Sequence, residues 1–420
     1  FKQKTAYEIR LSLVGSEMCI RDRYIMIRIK TLLLLVIISI NYSAIYGQKT
    51  EKYTRKIFFP DIDGYKTLLT DFHQHTVFSD GSVWPTIRVE EAIKDGLDAI
   101  SLTEHLEYQP YSKDIPNPDR NRAYNIAKSF AENKNKSLDR KLIVINGQEI
   151  TRSMPPGHIN AIFLNDANKL LHPKDSLKGI LAANKQDAFV FWNHPAWPAQ
   201  RSDGIAKLDE FHKYLIEKKL LHGIEVVNEL YYSEEALRLA LENDLTIMGT
   251  SDIHGLVDWL FKVPDDNESS NGTLPGHRPV TIIFSKDKSE DGIKDALFAG
   301  KTAVFYNELL IGKEENLKPL VEKCLVINNI NDLELGYSED GKSTIKKVEI
   351  KNVSDAPFIL KNLNSFTFET NSDIINIMPN SIHSISVKTK GEPLNELKFE
   401  VLNGIIAPKK YLNISLQIAK

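Results

Sequence analysis

Between Tyr65 and Phe284 the chain repeats one pattern, short β-rich runs flanked by His, Asp or Glu and separated by helical stretches. The runs are YKTLLTDFH, LDAISLTEH, KLIVINGQE, HINAIFL, DAFVFWNH, HGIEVVN, LTIMGTSDIH and PVTIIF. Between the first two lies VWPTIRVEEAIKDG, where Ile87, Ala92 and Ile93 have helical spacing and Gly96 is placed to end the helix. ALRLALENDL, before Thr246, reads the same way. Strands separated by helices imply βαβ units around a parallel sheet. So many units in so short a span predict an α/β protein built on a closed or nearly closed β/α barrel.

The flanks read differently. After Phe284 a helical pair is expected, KSEDGIKDALFAG and then ELLIGKEENLKPLVEK. From Cys324 the texture changes to short alternating runs separated by Asn, Gly, Ser and Pro, which predicts a small all-β, sandwich-like domain over 321–420. The barrel is then expected over 49–320. At the other end, Met26, Arg28 and Lys30 precede TLLLLVIISI and the short polar NYSAIYGQ. That order is the anatomy of a secretory signal peptide over 26–48, and its apolar core is too short to span a bilayer. Residues 1–25 fit poorly with the chain from Met26 onward and look like translated adapter sequence. The expected location is therefore exported, periplasmic or secreted, with no membrane insertion after cleavage. Only Cys19 and Cys324 exist, and a mature chain would keep one thiol, so no internal disulfide can form. A formal net charge of -3 gives no electrostatic reason to expect a long nucleic acid as partner.

The ends of the β-rich runs carry the chemistry. TDFHQH supplies His73 and His75, and the following turn Asp80. ISLTEH ends in His105 and INGQE in Glu149; GHINAIFL opens with His158. FVFWNHP ends in His194, and GTSDIHG holds Asp252 and His254. Barrel active sites gather where strand ends converge. In a strand, residues two apart point to the same side, so His73 and His75 can reach one ion together, as can Asp252 and His254. Imidazole and carboxylate ligands suit Mn, Zn or Fe, and the lack of thiolates argues against a cysteine-based site. Singly, each piece has an ordinary explanation. Asp80 suits a turn, His194 could end a strand on a backbone partner, and Glu149 could pair with Arg152. These explanations would have to hold independently at every strand end.

Weaker candidates surround this set. His277 and Arg278, in GTLPGHRPV, end a loop from Asp258 that could overhang the site and offer a cation to an anionic substrate. Arg152 and Arg201, just after ligand-bearing strands, are similar substrate-binding candidates. Trp84, Trp192 and Trp197 could wall a pocket, though Trp192 suits a core equally. His172, His212, His222 and His383 read as surface residues.

The string DFHQHTVFSDG…GLDAISLTEH…GQEI…GHINAIFL…NHP…GTSDIHG resembles the PHP domain, the polymerase-and-histidinol-phosphatase family of metal-dependent phosphoesterases. The resemblance covers about Lys66 to Phe284, with the motifs in order. It implies a distorted seven-stranded β/α barrel with two to three divalent metal ions. It further implies a first ion on His73, His75, Glu149 and Asp252, a second on Glu149, His158 and His194, and a third on Asp80, His105 and His254. Glu149, His194 and His254 are then the expected catalytic residues. Two positions depart from the pattern: Asp80 stands where several members have His, and the third motif reads T-E-H where T-D-H is frequent. The signal peptide and β-rich tail look like an exported, phosphodiesterase-like branch. The expected partner is a small phosphate ester, attacked at phosphorus by hydroxide held between ions. A phosphomonoesterase, or an enzyme cleaving nucleotides or oligonucleotides, is the alternative. An amidohydrolase-type barrel is disfavoured, because no Lys sits at a ligand-bearing strand end. A binding protein that has lost turnover would be expected to have lost ligands.

Overall fold

Each β-rich run between Tyr65 and Phe284 becomes a strand in a computed structural model that describes residues 56–261, 276–332 and 344–418. The expected adapter and signal segments lie outside the described residues, as does most of the loop Asp258–Arg278. β1 (Lys66–Asp71), β2 (Ala99–Leu102), β3 (Ile143–Ile150), β4 (Ile159–Ile162), β5 (Phe189–Trp192) and β6 (Gly223–Asn228) lie side by side in that order. β7 (Tyr231–Tyr232) folds back on β6, and β8 (Thr246–Thr250) pairs parallel with β6. β9 (Val280–Ser285) pairs antiparallel with β1 at the other edge. Every residue of β2, β4, β5, β8 and β9 is buried, the mark of a sheet covered on both faces. The expected helix after β1 forms at Pro85–Asp95 and stops at Gly96, whose φ of +73° favours a residue without a β-carbon.

The sheet is mixed, which corrects the expectation of a parallel one. β4 runs antiparallel to both β3 and β5. The connection over residues 151–158 is too short for a helical crossover, so the chain can only return beside the strand it has just left. The sheet also curls. Gly249 in β8 and Thr281 in β9 exchange two hydrogen bonds, N to Oγ1 at 2.9 Å and Oγ1 to O at 2.8 Å. A β-carbon on Gly249 would fall 2.3 Å from Val304, so only glycine allows this approach.

The helical pair after Phe284 is half right. Glu290–Phe298 is helical, with Ser289 Oγ capping Gly292 N at 2.9 Å. TAVFY then forms β10 (Thr302–Tyr306) and LLIG forms β11 (Leu309–Gly312), before a second helix at Glu314–Cys324. LLIG, expected to open the second helix, is instead a strand because KTAVFY, rich in β-branched and aromatic residues, pairs with β9 and offers it an edge.

The remaining strands are β12 (Leu325–Asp332), β13 (Ile345–Asn352), β14 (Phe358–Asn362), β15 (Ile374–Ile377), β16 (Ile382–Lys388), β17 (Glu396–Ala407) and β18 (Lys410–Gln417). β12, β13 and β16 form one antiparallel sheet. β14, β15, β17 and β18 extend the large sheet, because β17 pairs parallel with β11. Val348, Ile350, Ile385 and Val387 from the small sheet share one core with Phe358, Leu360, Phe399 and Val401. That is a two-layer β-sandwich joined through its backbone to the α/β part. No helix among the described residues is long and apolar enough to cross a membrane.

Cys324, at the seam, is fully buried, and burial pushes its thiol up to about 12. At pH 8 almost no thiolate forms in the folded state, whereas an unfolded cysteine titrates near 8.5. Thiol labelling of native protein should therefore proceed only as fast as the chain opens, and denaturant should release it. Rapid native labelling would contradict the seam.

Candidate metal centre

The reversal of β4 places the site. Because β4 runs against its neighbours, His158 at its start lies level with the ends of the strands around it. His73 and His75 follow β1, His105 follows β2, His194 follows β5, and Asp252 and His254 follow β8. Glu149 sits within β3.

All nine residues converge. His73 Nε2 and His75 Nε2 each lie 3.1 Å from Asp252 Oδ1, and 3.5 and 3.4 Å from Glu149 Oε2. His105 Nδ1 approaches that oxygen to 2.8 Å, and His158 Nδ1 lies 2.7 Å from Glu149 Oε1. Asp80 reaches His254 Nε2 at 3.2 Å and His105 Nε2 at 3.4 Å. His194 Nε2 stands farther out, 3.9 Å from both Glu149 and Asp252. Glu149, not Arg152, is thus the hub, and the pairing of the two that the sequence allowed does not form.

These donors fit divalent ions. His73 Nε2, His75 Nε2, Glu149 Oε2, His158 Nδ1, Asp80 Oδ1 and Asp252 Oδ1 are buried without a hydrogen-bond partner among the described residues. Each such atom left unsatisfied costs about 1–3 kcal/mol. Their donor atoms fall into three close groups: His75, Asp80, His105 and His254; His73, His75 and Glu149; His105, Glu149 and His158. Nitrogen and oxygen donors in such groups suit Mn, Zn or Fe. Burial opposes charge on Glu149, but the imidazoles of His105, His158 and His73 hold its carboxyl well below the usual range. Burial, with His254 and His105 beside it, lowers His75 to about 3, leaving a neutral ring with a free lone pair.

Sequence reading missed two supports. Glu225, buried in β6, accepts a hydrogen bond from His73 Nδ1 at 2.8 Å and from the His194 backbone N at 2.7 Å. Thr250 Oγ1 donates at 2.6 Å to the same oxygen that His73 reaches. It orients His73 so that Nε2 faces the cluster, and its only sequence signal is a carboxylate inside the apolar run GIEVVN. Glu104, the central residue of T-E-H, accepts from Thr76 N at 3.1 Å and Ser79 Oγ at 2.5 Å. It braces the turn carrying Asp80 instead of joining the cluster.

The expected substrate-binding residues are corrected. Arg278 is fully buried between Asp71 and Asp95, at 3.0 and 2.9 Å. His277 stacks on Phe305 with ring centres 4.5 Å apart. Arg152 pairs with Glu107 at 2.6 Å, and Arg201 pairs with Asp209. His212 is not a surface residue: it is buried against Trp192, ring centres 4.0 Å apart, with Nε2 2.7 Å from Pro156 O. His172, His222 and His383 are half-buried. Trp192 is core, while Trp197 lines a 420 Å³ pocket opening from the cluster.

A curled, mixed α/β sheet whose strand ends gather histidines and carboxylates defines a metal-site fold of the phosphoesterase type. The chain is 38% identical to a two-domain protein from Bacteroides vulgatus containing a predicted PHP-like metal-dependent phosphoesterase, covering 87% of this chain and 99% of that one with a TM-score of 0.75. This chain belongs to the PHP-like metal-dependent phosphoesterase family. A protein from Bifidobacterium adolescentis, assigned as a metal-dependent phosphoesterase, matches at 18% identity over 44% of this chain and 88% of its own, with a TM-score of 0.34. An Ig-like domain family matches residues 333–417, in agreement with the sandwich. No curated protein matches the sequence.

Replacing Glu225 with Gln should weaken divalent-ion binding by about 10- to 100-fold, read by calorimetric titration, with little change in melting temperature. Unchanged affinity would remove Glu225 from the site. Arg278→Ala should cost about 3–5 kcal/mol in denaturant unfolding, because Asp71 and Asp95 lose their buried partner. A loss in substrate affinity without that destabilisation would restore Arg278 as a substrate ligand.

Proposed function

We propose that this protein hydrolyses phosphate esters using two to three divalent ions, with diesters preferred. The observation that carries the reading is Glu149, buried with each carboxylate oxygen facing different imidazoles. His73, His75, Glu149 and Asp252 would hold one ion, Glu149, His158 and His194 a second, and Asp80, His105 and His254 a third. His75 and His105 also approach the neighbouring groups, so the three sites share walls. Divalent ions held by these residues would supply charge for the phosphoryl oxygens and lower the pKa of a bound water toward neutrality. On this reading β1 to β6 with β8 form the family's distorted seven-stranded barrel.

The protein's own residues do the rest. Glu225 and Thr250 fix the ring of His73, and Glu104 fixes the turn of Asp80. His194 and His254, at the pocket side, face the space where an ester would enter. No Lys or Arg lines that pocket among the described residues. A diester brings one negative charge and a monoester brings up to two, so the lining favours the diester. The same lining disfavours a long nucleic acid, whose phosphates need basic partners. Export rests on the order of basic, apolar and small residues in 26–48.

With Mn²⁺ supplied, kcat/KM for bis(p-nitrophenyl) phosphate should exceed that for p-nitrophenyl phosphate, and chelation should abolish both. Glu149→Ala and His194→Ala should each lower turnover at least about 100-fold while the far-ultraviolet spectrum stays native. Activity retained by either variant would overturn the shared-metal reading, and a monoester preference would move the assignment to phosphatase.

A further inference from the structure

The far wall of the pocket has a chemistry that the metal cluster does not use. Beyond the cluster it is built from the loop after β5, with Pro195 and Trp197, and from the β6–β7 hairpin, with Glu229, Tyr231 and Tyr232; Glu235 lies just beyond the hairpin. Trp197 packs steeply inclined to His194 and tilted to His158, ring centres 5.1 and 5.7 Å away, so its ring borders the cluster directly. The Tyr232 hydroxyl is buried without a partner among the described residues.

Glu229 is the unusual member. Its backbone stands at φ +53°, a conformation that side-chain-bearing residues rarely adopt. Two other lining residues share that feature, His194 at +27° and Asp252 at +47°, and both belong to the cluster. Strained residues of this kind persist where surrounding structure fixes them, and they collect at functional sites. Here the Glu229 N–H donates to Thr250 O at 3.1 Å, and the Tyr306 hydroxyl holds the next residue through Leu230 O at 2.5 Å. Among the described residues the Glu229 carboxylate makes no close salt bridge, and the charged groups it faces are Asp252, His254 and His194 of the cluster. Among the described residues Glu235 receives only a 3.4 Å hydrogen bond from Ser233 Oγ.

The wall thus offers aromatic side chains and the carboxylates of Glu229 and Glu235, with no Lys or Arg among the described residues. Such a surface repels a second phosphate or a carboxylate and attracts an organic cation, which aromatic faces stabilise through their quadrupoles. The geometry points to phosphate esters in which one alcohol carries an alkylammonium group, seated between Trp197, Tyr231 and Tyr232 with Glu229 as counter-ion. This inference rests on the phosphoesterase reading and names its substrate class. The reaction is plain hydrolysis: water adds to phosphorus, one P–O bond breaks, and the departing alcohol takes up a proton.

The test compares a cation with its uncharged carbon isostere. In the Mn²⁺-loaded protein, kcat/KM for p-nitrophenyl phosphorylcholine should exceed that for p-nitrophenyl 3,3-dimethylbutyl phosphate at least tenfold. Glu229→Gln should bring that ratio toward one. Calorimetry should show choline binding at least tenfold tighter than 3,3-dimethylbutanol, and Glu229→Gln should erase the difference. Equal turnover of the two esters, or tighter binding of the neutral alcohol, would overturn the inference and leave the phosphoesterase reading standing. Selective choline binding with neither ester cleaved would overturn that reading and keep the ammonium site.

Discussion

Glu149 puts a carboxylate with no solvent exposure at the centre of a sheet, where an isolated charge would cost several kcal/mol to bury. The cost is offset by the imidazoles of His73, His105 and His158, which lie within 3.5 Å of one of its two oxygens. Those rings cannot approach unless β1, β2, β3 and β4 bring their ends to one level. The order of strands in the sheet is therefore tied to the charge at its centre. The atoms left unsatisfied around Glu149 are the measure of what a cation would add.

Holding this arrangement takes a ring of supports outside the ligands. Glu225 joins β6 to His73 and to the backbone of His194, and Arg278 ties the end of β1 to Asp95. Ser251 Oγ donates to the same Asp71 at 2.6 Å, so β1 and the segment after β8 share one anchor. Further out, the Leu310–Gly404 register between β11 and β17 carries the large sheet into the Ig-like part. Catalytic geometry and domain junction thus hang on one continuous hydrogen-bonded sheet.

The cluster was legible in the sequence because a metal site limits the residue types expected, and strand ends limit where they stand. All nine converge, although the direction of β4 was not foreseen; His158 was found because a histidine opening a strand was counted along with those closing one. What escaped was set by tertiary partners. KTAVFY reads as a strand only once β9 is there to pair with it. Arg278 looked like a free cation because Asp71 and Asp95 are distant in sequence, and His212 looked exposed because its partner Trp192 lies on another element. Glu225 carried a signal, a carboxylate in an apolar strand, that pairing information alone could turn into a role.

The central claim is that Glu149 is shared between ions, and anomalous scattering from crystals grown with Mn²⁺ tests it most directly. The expected result is at least two anomalous peaks flanking the Glu149 carboxylate, each at a coordination distance of about 2.0–2.3 Å from its oxygens. Peaks only elsewhere, or none within that distance of Glu149, would contradict the account.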